Sequence, residues 1–264
     1  YLFTSFGGLA ANGGYDIRVA RSSNPDGPYV DANGNTMSSV IANCGLDCGD
    51  PSIQGYAQKM VGGHLFDRKT GDTGSGIGTG YVSPGHNSAY YNAATSQYFL
   101  FFHSRFPNQG EAHEIRVHEF FMNEDGWPVA APLAYRPRTG SATVTNDDTI
   151  GTFRLINLGK NITAGYAHAQ SSNIALTADG LVSGSVSGSW FHRGNNRISI
   201  QLNGHPYAYE GVLSRQWHQQ SNKFVITFSA QSRNGVSIWG IRPDITPPLT
   251  NGTYRITPSH SNKA

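Results

Sequence analysis

Between Tyr81 and Pro132 four short hydrophobic stretches alternate with turn sequences. The pattern predicts strands at Asn87–Tyr91, Tyr98–Arg105, Glu114–Phe121 and Trp127–Ala131. The second is an almost continuous apolar run, Tyr98-Phe99-Leu100-Phe101-Phe102, as expected of a strand buried on both faces. The third alternates, Ile115-Arg116-Val117-His118, in the manner of a half-buried strand. Asn123-Glu124-Asp125-Gly126 is turn chemistry, with Gly126 able to take positive φ. Four consecutive antiparallel strands with a buried inner member describe one blade of a β-propeller.

A second copy of this pattern opens the chain. Leu2-Phe3 matches Leu100-Phe101, and Ile17-Arg18-Val19 matches Ile115-Arg116-Val117 at the same offset. Asn24-Pro25-Asp26-Gly27-Pro28 then follows Asn123-Glu124-Asp125-Gly126-Trp127-Pro128 with one insertion. If the copies are equivalent, Tyr1 falls inside the second strand of a blade whose first strand precedes the chain. The chain is therefore expected to be the later part of a longer polypeptide, since a blade lacking its inner strand leaves a neighbour's edge uncovered.

The rest of the pattern divides further. Residues 32–80 are irregular and rich in Gly, Asn, Asp and Ser, with Tyr56–Leu65 the expected outer strand of the first blade. After Pro132 the texture changes, and short β-runs fill Gly151–Ile241, punctuated by Asp179-Gly180, Asn203-Gly204 and Asn234-Gly235 hairpin signals. The expected fold class is all-β: later blades of a five-bladed propeller, the blade number resting on the family resemblance below, followed by a small antiparallel barrel or sandwich. The expected divisions are 1–140 for the propeller part, 141–243 for the accessory β-domain, and 244–264 for a proline-containing linker and the start of a further module. Trp190 and Trp239 are expected mainly in the core of the second domain.

Composition narrows the function classes. Charged residues make up only 14% of the chain, against 32 glycines, which suits a turn-rich β fold. The net charge of +2 and the lack of any basic run argue against a nucleic-acid partner. No apolar stretch approaches the roughly 18 residues that span a bilayer, so no membrane partner is expected. Cys44 and Cys48 lack the further ligands of a structural zinc site. They read either as a small disulfide loop of a secreted protein or as two buried thiols.

Candidate chemistry is sparse. His86, in the sequence PGHNS, stands where an inner strand begins and would face the propeller axis, as a metal or water ligand, an acid or base, or a structural histidine. The segment SFGGLAANGGY lacks the following helix of a phosphate-binding loop. It reads as a close-approach loop at the propeller mouth or as an ordinary hairpin. Glu111, Glu114 and Glu119 gather around the third strand without forming an evident pair across one bond, and Asp47, Asp50, Asp67 and Asp72 sit in loops. No nucleophile-elbow motif is present.

The stretches YLFTSFGGLAANGGYDIRVARSSNPDGPYVDANG, GYVSPGHNSAYYN, YFLFFHSRF and HEIRVHEFFMNEDGWPVAAP closely resemble the endo-α-1,5-L-arabinanases of glycoside hydrolase family 43. The likeness continues to SIWGIRP, which is similar to the end of the accessory β-domain of the longer arabinanases. It implies a five-bladed propeller and a secreted, inverting endo-hydrolase of arabinan. The family's Asp base, second Asp and Glu acid all lie upstream of the YLFTSFGGL motif. The resemblance therefore places no catalytic residue in this chain and implies an N-terminal partner chain of the same gene product that carries them. The family's calcium-linked axial histidine matches His86, implying calcium as cofactor. Phe6, Gly7, Gly8, Asn87 and Arg105 are the expected substrate contacts beside it. The alternatives are a non-catalytic carbohydrate-binding propeller and a family 43 hydrolase acting on xylan or mixed arabinosides. The tail NGTYRITPSHSNKA resembles the opening of a ricin-type lectin repeat.

Overall fold

The structure, a computed structural model, describes residues 1–43, 49–138, 140–163, 165 and 168–243. Cys44, Asp47, Cys48 and the lectin-like tail lie outside the described residues. The fold is all-β, with one short helix and two single 3-10 turns among the described residues. Strands β1 (Leu2–Phe6), β2 (Asp16–Ala20) and β3 (Gln58–Val61) form an antiparallel sheet in that order. The strand expected within Tyr56–Leu65 is thus present as β3.

A second sheet contains β4 (His64–Asp67), β5 (Gly78–Asn92), β6 (Gln97–Arg105), β7 (His113–Met122) and β8 (Pro128–Ala130), each antiparallel to the next. Its last four strands cover the four expected from the hydrophobic pattern. The two hairpins share one register: Phe3 pairs with Val19 in β1–β2 as Phe101 pairs with Val117 in β6–β7. The internal repeat is therefore also a repeat of pairing.

A capped turn of helix, α1 (Asn146–Thr149), leads into β9 (Gly151–Asn157). The Thr145 hydroxyl accepts from the Asp148 amide while the Asp148 carboxylate accepts from the Thr145 amide, a reciprocal cap. The chain then leaves this region to lay β10 (Ala169–Gln170) parallel against β4. It returns through β11 (Ser172–Leu176), β12 (Leu181–Gly184), β13 (Gly188–His192) and β14 (Arg197–Leu202). The long hairpin of β15 (Tyr209–His218) and β16 (Lys223–Ser232) and then β17 (Ser237–Ile241) follow, and β17 pairs with β9 to close an eight-stranded barrel.

Two apolar clusters hold these parts. The barrel interior contains Phe153, Leu155, Trp190, Leu213, Phe228 and Ile238. The other cluster joins the two sheets to the outside of the barrel through Ile17, Met60, Phe66, Leu100, Ile156 and Trp239. Trp190 lies in the barrel core as expected, but Trp239 does not. It faces the sheets, with its ring edge-on to His64 at 4.9 Å. The reason is that β9 and β17 are buried on both faces: Ile238 points inward and Trp239 outward. β6 departs in the opposite direction. Leu100 and Phe102 are buried, and so is Phe99 on the other face, but its neighbour there, Phe101, is 39% exposed, so the strand expected to be covered on both sides is covered fully on one and in part on the other.

A buried ion cluster also spans the join. Asp16 pairs with Arg18 at 2.8 Å and with Lys59 at 2.9 Å, all three essentially inaccessible. Arg18 donates further to the carbonyls of Gln54, Tyr56 and Lys160, so every charge taken from water has partners.

Candidate functional site

The first sheet, β5 and β6 meet around a glycine-rich loop, residues 7–14. The loop folds on itself through a 2.7 Å bond from the Gly8 amide to the Gly13 carbonyl. Added side chains would collide with backbone here: a Cβ on Gly13 would lie 2.1 Å from the Gly8 oxygen, and one on Gly7, at φ +82°, 2.6 Å from the Gly14 oxygen. Glycine is required because the loop's own backbone approaches itself closely, whichever of the two sequence readings, ligand-approach loop or ordinary hairpin, applies. Two side chains fasten the loop to the second sheet. The Ser83 hydroxyl donates to the Ala10 carbonyl at 2.6 Å, and the Glu111 carboxylate accepts from the Ala11 amide at 3.0 Å. The second Glu111 oxygen accepts from Arg105 Nε at 2.6 Å. The Ala11 amide and the Arg105 guanidinium hold the Glu111 carboxyl below its ordinary range.

β5 changes partner as it passes this point, pairing first with β4 and then with β6. Its register slips between Val82, Gly85 and Ser88, and both Ser83 (φ 46°) and His86 (φ 53°) take left-handed backbone. Such bulges turn side chains out of the sheet's alternation. Gly85 permits this because the Tyr15 ring lies where its Cβ would be, 2.0 Å from Tyr15 Cε1. His86 is consequently exposed. Its amide donates to the Ser5 hydroxyl at 3.1 Å, which also accepts from Asn87 Nδ2 at 3.1 Å. The His86 ring stands 5.8 Å from that of His103, and His103 stands 5.4 Å from His113. Burial, followed by the nearby Arg105, lowers the His103 pKa.

Three buried polar atoms in this region have no hydrogen-bond partner: Asn87 Oδ1, His103 Nε2 and Arg105 Nη1. Buried polar groups are seldom left so. Their concentration beside the glycine loop marks a place that receives polar groups from a ligand, water or further chain.

The structure thus brings His86, Asn87, Arg105 and the loop of Gly7 and Gly8 to one end of the sheets. Phe6 is directed elsewhere: it is buried against Ile53 and Ile162, with the Arg18 guanidinium 4.5 Å over its ring. Ser5, Tyr15, Ser83, His103 and Glu111 were not singled out as members of this site from sequence. The alternation placing His103 and Arg105 on one face of β6 was the available signal.

The remaining carboxylates serve other ends. Glu114 pairs with Arg116, Glu119 with Arg138, Asp67 with Lys69 and Asp72 with Arg154, while Asp50 caps the turn at Pro51–Ile53. Among the described residues no three His, Cys, Asp or Glu side chains are grouped to hold a metal. For calcium, which takes about six to eight oxygens, the nearby donors here are the His86 imidazole and the orphaned Asn87 Oδ1. These fit as contacts to a largely hydrated ion and do not make a calcium site alone.

Residues 132–240 match the family model GH43_C, a C-terminal lipocalin-like domain, in agreement with the closed barrel. The chain is a relative of the family 43 glycoside hydrolases and carries their C-terminal domain. Over 240 residues it is 48% identical to the extracellular endo-α-(1→5)-L-arabinanase 2 of Bacillus subtilis, covering 91% of this chain and 49% of that protein. It is 44% identical over 244 residues to the corresponding extracellular enzyme of Thermotoga petrophila, covering 92% and 49%. The crystal structure of a family 43 glycoside hydrolase from Bacillus licheniformis superposes with a TM-score of 0.81 at 45% identity, covering 91% of this chain and 51% of that one. The Thermotoga petrophila endo-1,5-α-L-arabinanase structure gives 0.79 at 43% identity, with the same coverage. The chain spans about half the length of the curated relatives it matches.

Proposed function

We propose that this chain is part of an extracellular endo-α-1,5-L-arabinanase that cleaves arabinan with inversion. The observation carrying the reading is the 48% identity, over 91% of the chain, to an extracellular enzyme of that name. In this reading the two sheets are blades of a five-bladed propeller, the barrel is an accessory domain, and 244–264 is a linker and the start of another module. Upstream sequence of the same gene product supplies the remaining blades and the catalytic Asp, Asp and Glu. Its proposed seat is the exposed side of β5, β6 and β7, where Tyr90, Phe101 and Ile115 are 55%, 39% and 66% exposed. The acid and base of an inverting hydrolase stand roughly 6.5–9.5 Å apart to admit water.

The residues of this chain then act as one wall of the substrate groove. Arg105 Nη1 and Asn87 Oδ1 offer a donor and an acceptor to sugar hydroxyls, and the glycine loop lets backbone approach the chain of sugars closely. His86 stands at the axis and is proposed to contact a hydrated calcium ion. The ion's contribution, when bound, is a fixed positive charge at the floor of the site.

The test is release of reducing ends from linear α-1,5-arabinan by the product with its upstream sequence included, with xylan as comparison. Arabinan cleavage with inverted configuration is expected. Binding without cleavage would replace the reading by a carbohydrate-binding protein, and preference for xylan by a different family 43 specificity. His86→Ala should keep the fold while lowering both activity and its response to calcium chelation.

A further inference from the structure

A cleft of about 630 Å³ separates the second sheet from the barrel, a volume typical of small-molecule sites. One wall is the start of β5 and the β6–β7 turn, and the other is the segment after β8 with the tip of the β15–β16 hairpin. None of the orphaned polar groups of the glycine-loop site lines it.

Its chemistry is specific. The Arg136 guanidinium lies 3.8 Å over the Trp217 ring, and that of Arg116 lies 4.6 Å over Phe106. A ring face satisfies the cation without using the guanidinium's N–H donors, which stay free for a further acceptor. Arg116 uses its edge on Glu114 and on the Ile115 carbonyl. Arg136 is exposed, and among the described residues it has no ion pair or hydrogen bond. No described carboxylate lines the cleft. Gln109, Gln219 and Gln220 also line the cleft with amides suited to hydroxyl groups, the Gln220 nitrogen donating to the Ser75 carbonyl, and Ile77, 47% exposed, offers an apolar surface. A guanidinium held at an indole face with its N–H donors unpaired matches a carboxylate, and amides beside apolar surface match a hydroxylated ring. Uronic-acid sugars combine both.

We propose that this cleft binds an oligosaccharide bearing uronic acids, with one carboxylate held edge-on by Arg136 against Trp217. The inference concerns a ligand other than arabinan and does not depend on the arabinanase reading.

Titration calorimetry of the whole chain with trigalacturonate tests it, with neutral arabinotriose and inorganic sulfate as comparisons. Trigalacturonate is expected to bind and to weaken as ionic strength rises. Arg136→Gln should lower its affinity about tenfold or more without changing Tm, since the side chain is exposed and bonded to nothing but the indole face. Trp217→Phe, which keeps a ring beneath the guanidinium, should weaken it less. Absence of trigalacturonate binding overturns the proposal, as does equal binding to Arg136→Gln. Equal affinity for arabinotriose would make the cleft a neutral-sugar site, and equal affinity for sulfate a simple anion site; either overturns it.

Discussion

His64 and His118 show how single buried side chains set the pH range of the fold. Burial lowers their pKa values from 6.5 to about 4 and about 3. His118 is locked neutral between the Tyr81 hydroxyl at 2.8 Å and the Ala131 carbonyl at 2.7 Å, the hydroxyl donating to Nε2 and Nδ1–H donating to the carbonyl. In the unfolded chain both rings titrate near 6.5. The unfolded state therefore binds more protons as pH falls below about 6.5. The stability these neutral rings carry is complete above that value and is lost progressively toward their folded pKa values. A loss of a few kcal/mol is expected between pH 7 and 4.5, read as a lower urea midpoint. A midpoint unchanged over that interval would show that the rings are not held neutral. Glu111 makes a prediction of another kind. It is exposed, yet it joins the glycine loop to Arg105, so Glu111→Gln should leave Tm nearly unchanged. Under the proposed arabinanase reading, arabinan cleavage should fall on the order of tenfold, because misplacement of a groove wall acts on positioning. Since its carboxyl is held below the ordinary range, the pairing is intact at neutral pH and fails only as pH falls through that lowered value. Unaltered activity in Glu111→Gln would remove the loop from the site.

At the level of elements, β5 is the decisive strand. Gly85→Ala should destabilise the protein by about 1–3 kcal/mol by driving a methyl group into the Tyr15 ring. Tyr15→Ala in the same chain should recover part of that loss, and strictly additive effects in a double-mutant cycle would refute the contact. The meander itself was legible, because alternation and Asn-Glu-Asp-Gly turn chemistry are local signals. So was the first hairpin, through its repeat. The bulges of β5 were not, since Ser83 and His86 adopt left-handed backbone that their residue types do not announce. Trp239 was assigned to the wrong face because a strand buried on both sides has no polar face to break the symmetry. Phe101 differs in the opposite sense: an apolar run resembles complete burial even where one side is covered only in part. The fastening of residue 11 by Glu111 joins positions 100 apart in sequence, and no periodicity reports such a pairing.

For the whole molecule the sheets and the barrel act as one body. Asp16 is the shared counter-ion of Arg18 and Lys59 at their join, so Asp16→Asn leaves both buried cations without an anionic partner. A loss of about 3–5 kcal/mol is expected, seen as one cooperative transition moved to lower temperature. Two separate transitions in calorimetry, only one of them moved, would show instead that the parts unfold independently. The buried charges are also why the join could not be foreseen: Asp16, Arg18 and Lys59 read in sequence as ordinary polar positions on strands.

β10 has a consequence for how such proteins diversify. Ala169 and Gln170 lie between two barrel strands in sequence, yet they pair with His64 and Leu65 in the neighbouring sheet. A gene segment encoding the barrel is therefore not a portable cassette. Recombination that moved it to another host would carry a strand cut to fit β4 and an outer wall, with Trp239, cut to fit the sheets. Exchange of the barrel among relatives should succeed only where both surfaces travel together.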